Sequence, residues 1–176
     1  MSQLIVLSAI GTDRPGVVKD LSKAILDCGG NIEESRMMTL GAEFAVLMLV
    51  SGHWHTPAKL EKALDNLATS RDLVINLKRT GARHEHKDCI PYAVDVICLD
   101  QPGIVFHLSE FFAARNIEIC DVGTRRYAAP HTGAPMFAAQ MTVSIPASAP
   151  IAQLRDEFLD LTEQLNLDSI FEPVKG

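Results

Sequence analysis

The chain repeats itself. Pro15-Gly16 and Pro102-Gly103 stand 87 positions apart, and Asn31-Ile32-Glu33 and Asn116-Ile117-Glu118 stand 85 apart. A strand-like apolar stretch precedes each Pro-Gly, Leu4-Ile5-Val6-Leu7 in one copy and Val94-Asp95-Val96-Ile97, interrupted by one aspartate, in the other. A repeat of this period restricts the 176-residue chain to two copies of one small unit, each closing its own core. The unequal offsets imply that the second copy is two residues shorter between the two motifs.

Each copy reads in the same order. Residues 3–10 form an apolar strand. Pro15 suits the first turn of a helix carrying Val18, Leu21, Ile25 and Cys28 at helical spacing, and Gly29-Gly30 ends it. Residues 31–39 are mixed, as in an edge strand, and Phe44 to Val50 run apolar, as in a central one. Pro57 opens a second helix with Leu60, Leu64 and Leu67, and residues 72–78 make a last strand. The second copy places strands at 91–99, 117–127, 136–145 and 168–173. Its helices carry Val105, Leu108 and Phe112, then Ile151, Leu154, Phe158, Leu161 and Leu165 after Pro150. The expected fold is α+β: two tandem ferredoxin-like βαββαβ domains, each a four-stranded antiparallel sheet with two helices on one face. The domains are expected at 1–80 and 89–176, joined by a linker at 81–88 that lacks any core-forming pattern.

One-sided helices leave the opposite sheet face to water or to a partner. The strand at 44–50 is apolar on both faces, so the first domain has apolar surface to cover. A homo-oligomer or a domain contact is the expected cover.

Net charge is −6, and it is uneven. Residues 1–83 hold 10 Lys/Arg against 9 Asp/Glu, whereas residues 84–176 hold 6 against 13. That balance argues against direct binding of nucleic acid. No apolar run reaches membrane-spanning length and no signal-peptide pattern opens the chain, so a cytoplasmic location is expected. The four cysteines form no C-x-x-C pair; Cys28 and Cys98 read as core thiols.

Asp13-Arg14-Pro15-Gly16 is the stretch best suited to a ligand. Unpaired N–H groups and the helix dipole converge at a helix start and favour a carboxylate. Gly16 lacks a Cβ and lets a ligand approach the backbone. Asp13 could accept from an ammonium group or cap the helix, and capping with turn chemistry alone explains the tetrapeptide equally well.

Asp13-Arg14-Pro15-Gly16-Val17-Val18 followed by Gly29-Gly30-Asn31-Ile32-Glu33 resembles the signature of ACT domains. Asp100-Gln101-Pro102-Gly103-Ile104-Val105 with Asn116-Ile117-Glu118 resembles it again, and the likeness covers nearly the whole chain outside the linker. Two bare ACT domains, together with Glu34-Ser35-Arg36, Leu40 to Phe44 and Leu49-Val50-Ser51-Gly52-His53-Trp54, are similar to the glycine cleavage system transcriptional repressor family. That resemblance implies a regulator that restrains expression by binding a transcriptional activator protein, with glycine as the candidate small amino-acid effector. It also implies ligand sites between the strand–helix loop of one domain and an edge strand of its neighbour. Carried onto this chain, the first site comprises Asp13, Arg14, Pro15, Gly16, Asn31 and Ile32. The second comprises Asp100, Gln101, Pro102, Gly103, Asn116 and Ile117, where Gln101 stands in place of the arginine. A structural module without a ligand is the alternative. A further one is the regulatory remnant of an amino-acid or folate enzyme, since formyltetrahydrofolate deformylase opens with a similar loop.

No Ser or Cys nucleophile sits in a recognisable catalytic motif, and no glycine-rich phosphate loop is present, so neither an enzyme nor a cofactor is expected. No metal is expected either: His84-Glu85-His86 is incomplete as a metal site and lies in the linker. Trp54, between His53 and His55, is expected to cover the edge of the core, and His107 to be partly buried scaffold. Arg125-Arg126 is too small a basic cluster, in an acidic half, to mark a phosphate site.

Overall fold

The computed structural model describes residues 3–82 and 88–174. The chain divides into two compact units, Met1–His84 and Glu85–Gly176. Most of the expected linker, residues 83–87 with its His-Glu-His, lies outside the described residues.

Unit 1 runs β1 (Gln3–Thr12), α1 (Val17–Asp27), β2 (Gly30–Leu40), β3 (Glu43–Gly52), α2 (Thr56–Arg71) and β4 (Leu73–Thr80). Unit 2 repeats the order with β5 (Cys89–Leu99), α3 (Ile104–Ala113), β6 (Glu118–Ala128), β7 (Pro135–Pro146), α4 (Ile151–Gln164) and β8 (Asp168–Pro173). The sheets are ordered β2-β3-β1-β4 and β6-β7-β5-β8, with every neighbouring pair antiparallel. The expected ferredoxin-like duplication is therefore the fold.

The cores follow from alternation along the central strands. In β1 and β3, Ile5, Leu7, Ala9, Val46, Met48 and Val50 are buried on the helix-covered face and meet Leu21, Ile25, Leu60 and Leu64. Unit 2 fills the same space with more rings. Phe158 is fully buried, with centroids 5.4 Å from Phe111, 5.8 Å from Phe112 and 5.2 Å from Phe171. Burial pushes the Cys28 and Cys98 thiols up, as expected for thiols inside cores.

Two details differ from the sequence reading. The first is the helix phase. Val18 and Val105 are exposed at 38% and 40%, while their neighbours Val17 and Ile104 are buried at 2% and 3%. Gly16 and Gly103 sit at φ 98° and 90° immediately before the helices, and this left-handed step turns the first helical residue inward. Leu21 and Leu108 then follow at i+4, so the true stripe begins one residue earlier.

The second is the alignment of the copies. Ile32 pairs with Val50, which pairs with Ile5; Ile119 pairs with Val143, which pairs with Tyr92. Ile32 thus corresponds to Ile119 and Asn31 to Glu118, an offset of 87 that matches the Pro-Gly offset. The bulges after Ile32 and Ile119 keep it too. No residues are missing from the second copy here. Asn116 instead occupies the place of Gly29: both are left-handed, at φ 57° and 73°, and each N–H bonds the carbonyl three residues back, Ala113 and Leu26. Asn is the residue that best tolerates this conformation after Gly, which explains the misleading match of Asn116 to Asn31.

Asn116→Ala is expected to destabilise unit 2 by about 1 kcal/mol and Asn116→Gly to be neutral or slightly stabilising, as read by urea denaturation. Phe158→Ala is expected to cost about 3–5 kcal/mol in the same assay.

Candidate functional site

The loop from Thr12 to Gly16 crosses the end of the unit 1 sheet. Its start is held by the Asp13 N–H, which donates to the Ala42 carbonyl at 3.1 Å. The Asp13 side chain does not cap α1. Its Oδ2 accepts from Thr39 Oγ1 at 3.3 Å, which ties the loop to the far end of β2. Gly16 occupies the N-cap position without a side-chain hydrogen bond, so the first amides of α1 have no side-chain acceptor. Open space surrounds the direction in which a Gly16 Cβ would point. Arg14 is half-buried, and its Nε is buried without a hydrogen-bond partner. Nearby, Asp20 in the first turn of α1 pairs with Arg71 of α2.

The unit 2 loop shares the backbone and differs in its side chains. Asp100 pairs with Arg126 at 2.7 Å, the counterpart of the Asp13–Thr39 tie. Gln101 Nε2 donates to the Leu165 carbonyl at 2.9 Å, so the residue in the place of Arg14 closes the C-terminal end of α4. A Cβ at Gly103 would stand 3.4 Å from the His107 ring, which lies half-buried beside this turn. Asp100 and Gln101 of the second loop are both tied to other elements, whereas the first loop carries an unsatisfied guanidinium N–H; neither helix start has a side-chain cap.

Asn31 and Ile32 do not join Asp13–Gly16 within one unit. Gly30 pairs with Gly52 and Leu40 with Glu43, so β2 starts at one end of the sheet and the loop lies at the other. At ~3.3 Å per residue the separation is about 30 Å. Asn31 Nδ2 donates to Glu33 Oε1 at 3.1 Å, and Ser51 Oγ donates to the same oxygen. These two bonds, Ser51's first, hold the Glu33 carboxyl below its ordinary range. In unit 2 the Asn31 position is Glu118, while Asn116 forms the helix stop and Ile117 is buried at 6%. Asn116 and Ile117 therefore do not correspond to the strand residues of the first site; the physical reason is the Asn-for-Gly exchange at the helix end.

Trp54 does not cover the core edge. It is 79% exposed in the β3–α2 turn, beside His55, and the core edge there is closed by Thr56 and Pro57. Among the described residues no group of three or more His, Cys, Asp or Glu could hold a metal ion, and no helix is long and apolar enough to cross a membrane.

These features define a protein built of ACT units, and residues 3–78 match the ACT domain family model. The chain is 34% identical over 162 residues to the glycine cleavage system transcriptional repressors of Escherichia coli (strain K12) and Shigella flexneri, covering 92% of this chain and 85% of theirs. A crystal structure provisionally described as a glycine cleavage system transcriptional repressor superposes with a TM-score of 0.74 at 27% identity, covering 100% of this chain and 99% of that one. A protein of unknown function from Galdieria sulphuraria gives a TM-score of 0.79 at 28% identity, covering 99% and 100%. The chain belongs to the glycine cleavage system transcriptional repressor family of ACT-domain regulators.

Ser51→Ala is expected to raise the Glu33 carboxyl toward its ordinary value, as followed by carbon-detected NMR titration. Because the folded-state value is lowered, the stabilisation linked to Glu33 is present above its unfolded pKa and is lost as pH falls through the folded one. Ser51→Ala moves that loss to higher pH.

Proposed function

We propose that this chain is a non-enzymatic, amino-acid-responsive transcriptional regulator, and that it acts through a protein partner, a transcriptional activator, without contacting DNA itself. Glycine is the effector that the relatives' names suggest. The observation that carries the reading is the divergence of the two strand–helix loops. Only the first has an open Gly16 and a buried Arg14 Nε without a partner; its helix amides are uncapped, as are those of α3. A carboxylate satisfies all three. The ammonium group of the same ligand needs an acceptor, and Asn31 with Glu33 supplies one from the β2 edge of a neighbouring ACT unit in a homo-oligomer. The ligand would thereby join two units, and by favouring the joined state it would alter affinity for the partner. The acidic balance of residues 84–176 suits a protein partner and not a nucleic acid, and it fits a cytoplasmic regulator.

A second reading has its own observation. On the uncovered face of the unit 1 sheet, Ile10, Leu47, Met38 and Val74 are exposed at 51%, 50%, 52% and 67%. Leu47 also lines a depression of about 550 Å³ together with Val6, Leu49, Glu34 and Arg36. Such a face suits assembly without any ligand.

Calorimetric titration with glycine separates the two. Binding to the native chain, weakened at least about tenfold in Arg14→Gln, supports the ligand reading, because that substitution removes a charge-assisted hydrogen bond worth roughly 1.5–3 kcal/mol. Pull-down from cell extract should then recover a transcriptional activator in amounts that change with glycine. Absence of heat with glycine and with every other amino acid, together with glycine-independent partner recovery, contradicts it.

A further inference from the structure

The open face of the unit 2 sheet has been rewritten relative to unit 1. Its central row is Asp95 on β5, Gln140 on β7 and Gly123 on β6, paired across the sheet; the next row is Ile97, Ala138 and Arg125. The matching unit 1 rows are Ser8, Leu47 and Arg36, then Ile10, Ala45 and Met38. Ser8, Leu47, Arg36 and Met38 thus stand where unit 2 has a carboxylate, an amide, a gap and a guanidinium. Asp95, Ile97, Gly123, Arg125, Gln140 and Ile170 together line one depression of about 450 Å³.

The two charges in it are arranged to be met, not to meet each other. Gln140 Nε2 donates to Asp95 Oδ1 at 3.1 Å, which fixes the carboxylate and leaves Oδ2 without a hydrogen bond among the described residues. The Arg125 guanidinium lies over the Tyr127 ring, 5.4 Å from its centroid. Neither Asp95 nor Arg125 enters an ion pair among the described residues. They stand two strands and one row apart, about 12 Å between backbones at ~4.8 Å per strand and ~3.3 Å per residue. Gly123, beside Gln140 and one row from Arg125, leaves the β6 side of the depression clear, since nothing lies within 4 Å of a Cβ placed there. Ile97 and Ile170, exposed at 44% and 55%, form an apolar side to the same depression.

We propose that this face is a second, separate ligand site, and that it takes a zwitterionic α-amino acid with an apolar side chain. Asp95 and the Gln140 carbonyl receive the ammonium group, Arg125 receives the carboxylate, and Ile97 and Ile170 pack on the side chain. Glycine lacks the part that Ile97 and Ile170 recognise, so this site and the loop at Asp13–Gly16 select different ligands. The inference does not depend on the loop binding anything.

The test is NMR titration of the full, nitrogen-15-labelled chain with leucine, leucinamide and 4-methylpentanoate, each up to about 20 mM. The expected result is that leucine shifts the Gly123 and Thr124 amides and the Gln140 side-chain amide. Leucinamide, without a carboxylate, and 4-methylpentanoate, without an ammonium group, should bind at least about tenfold more weakly. Asp95→Asn and Arg125→Gln should each weaken leucine by a similar factor, and Arg14→Gln should leave it unchanged. No shift with leucine, equal binding of the truncated analogues, or loss of the leucine response in Arg14→Gln would overturn the proposal. The analogue series uses the native chain, so the result does not hang on any variant folding.

Discussion

Each unit is organised by the antiparallel pairing of its two central strands, β1 with β3 and β5 with β7. That pairing gives one face rows of Ile, Leu, Val and Met, which bury under two helices, and it fixes where the strand–helix loops and the edge strands emerge. Everything with functional content lies at positions this pairing does not need for its core: the loops, the edges and the uncovered faces. The inner faces of the two copies remain alike in pattern because both must bury helices. The outer positions have been free to diverge, and they have done so in opposite directions.

In unit 1 the loop carries a guanidinium N–H without a partner, and the sheet face exposes Ile10, Leu47, Met38 and Val74. In unit 2 Gln101 is tied to the end of α4 and His107 lies beside Gly103, while the sheet face carries Asp95, Gln140 and Arg125. A duplicated fold thus holds two unlike surfaces on one scaffold, as the proposed response to a small molecule and engagement of another protein would require. The placement of Asn31 about 30 Å from the loop of its own unit, at ~3.3 Å per strand residue, makes the neighbour part of any site built on both. In the proposed site that geometry would link ligand occupancy to assembly through position alone, without requiring either unit to change its internal structure.

Most of the fold was legible in the sequence because strand alternation and helical spacing are dictated by burial, and burial dominates small domains. Strand β8 was read at its observed bounds, and the others within about two residues. What was not legible depended on single backbone conformations. The left-handed step at Gly16 and Gly103 turns the first helical residue inward, so Val17 and Ile104 are core residues and Val18 and Val105 are not, while Leu21, Ile25, Leu108 and Phe112 are buried as expected. The left-handed Asn116 imitated Asn31 in letters while doing the work of Gly29. Trp54 reads as core by residue type but sits at the tip of a turn. The Asp95–Gln140–Gly123 row could not be found by motif at all, since its members are distant in sequence and meet only through strand register.

The central claim is that the first strand–helix loop retains ligand chemistry and the second has lost it. Amide shift mapping with glycine on the intact chain tests it most directly. The account requires perturbation of the Gly16, Val17 and Val18 amides, with those of Gly103, Ile104 and Val105 unmoved. Equal perturbation at both helix starts, or perturbation at the second alone, would contradict it.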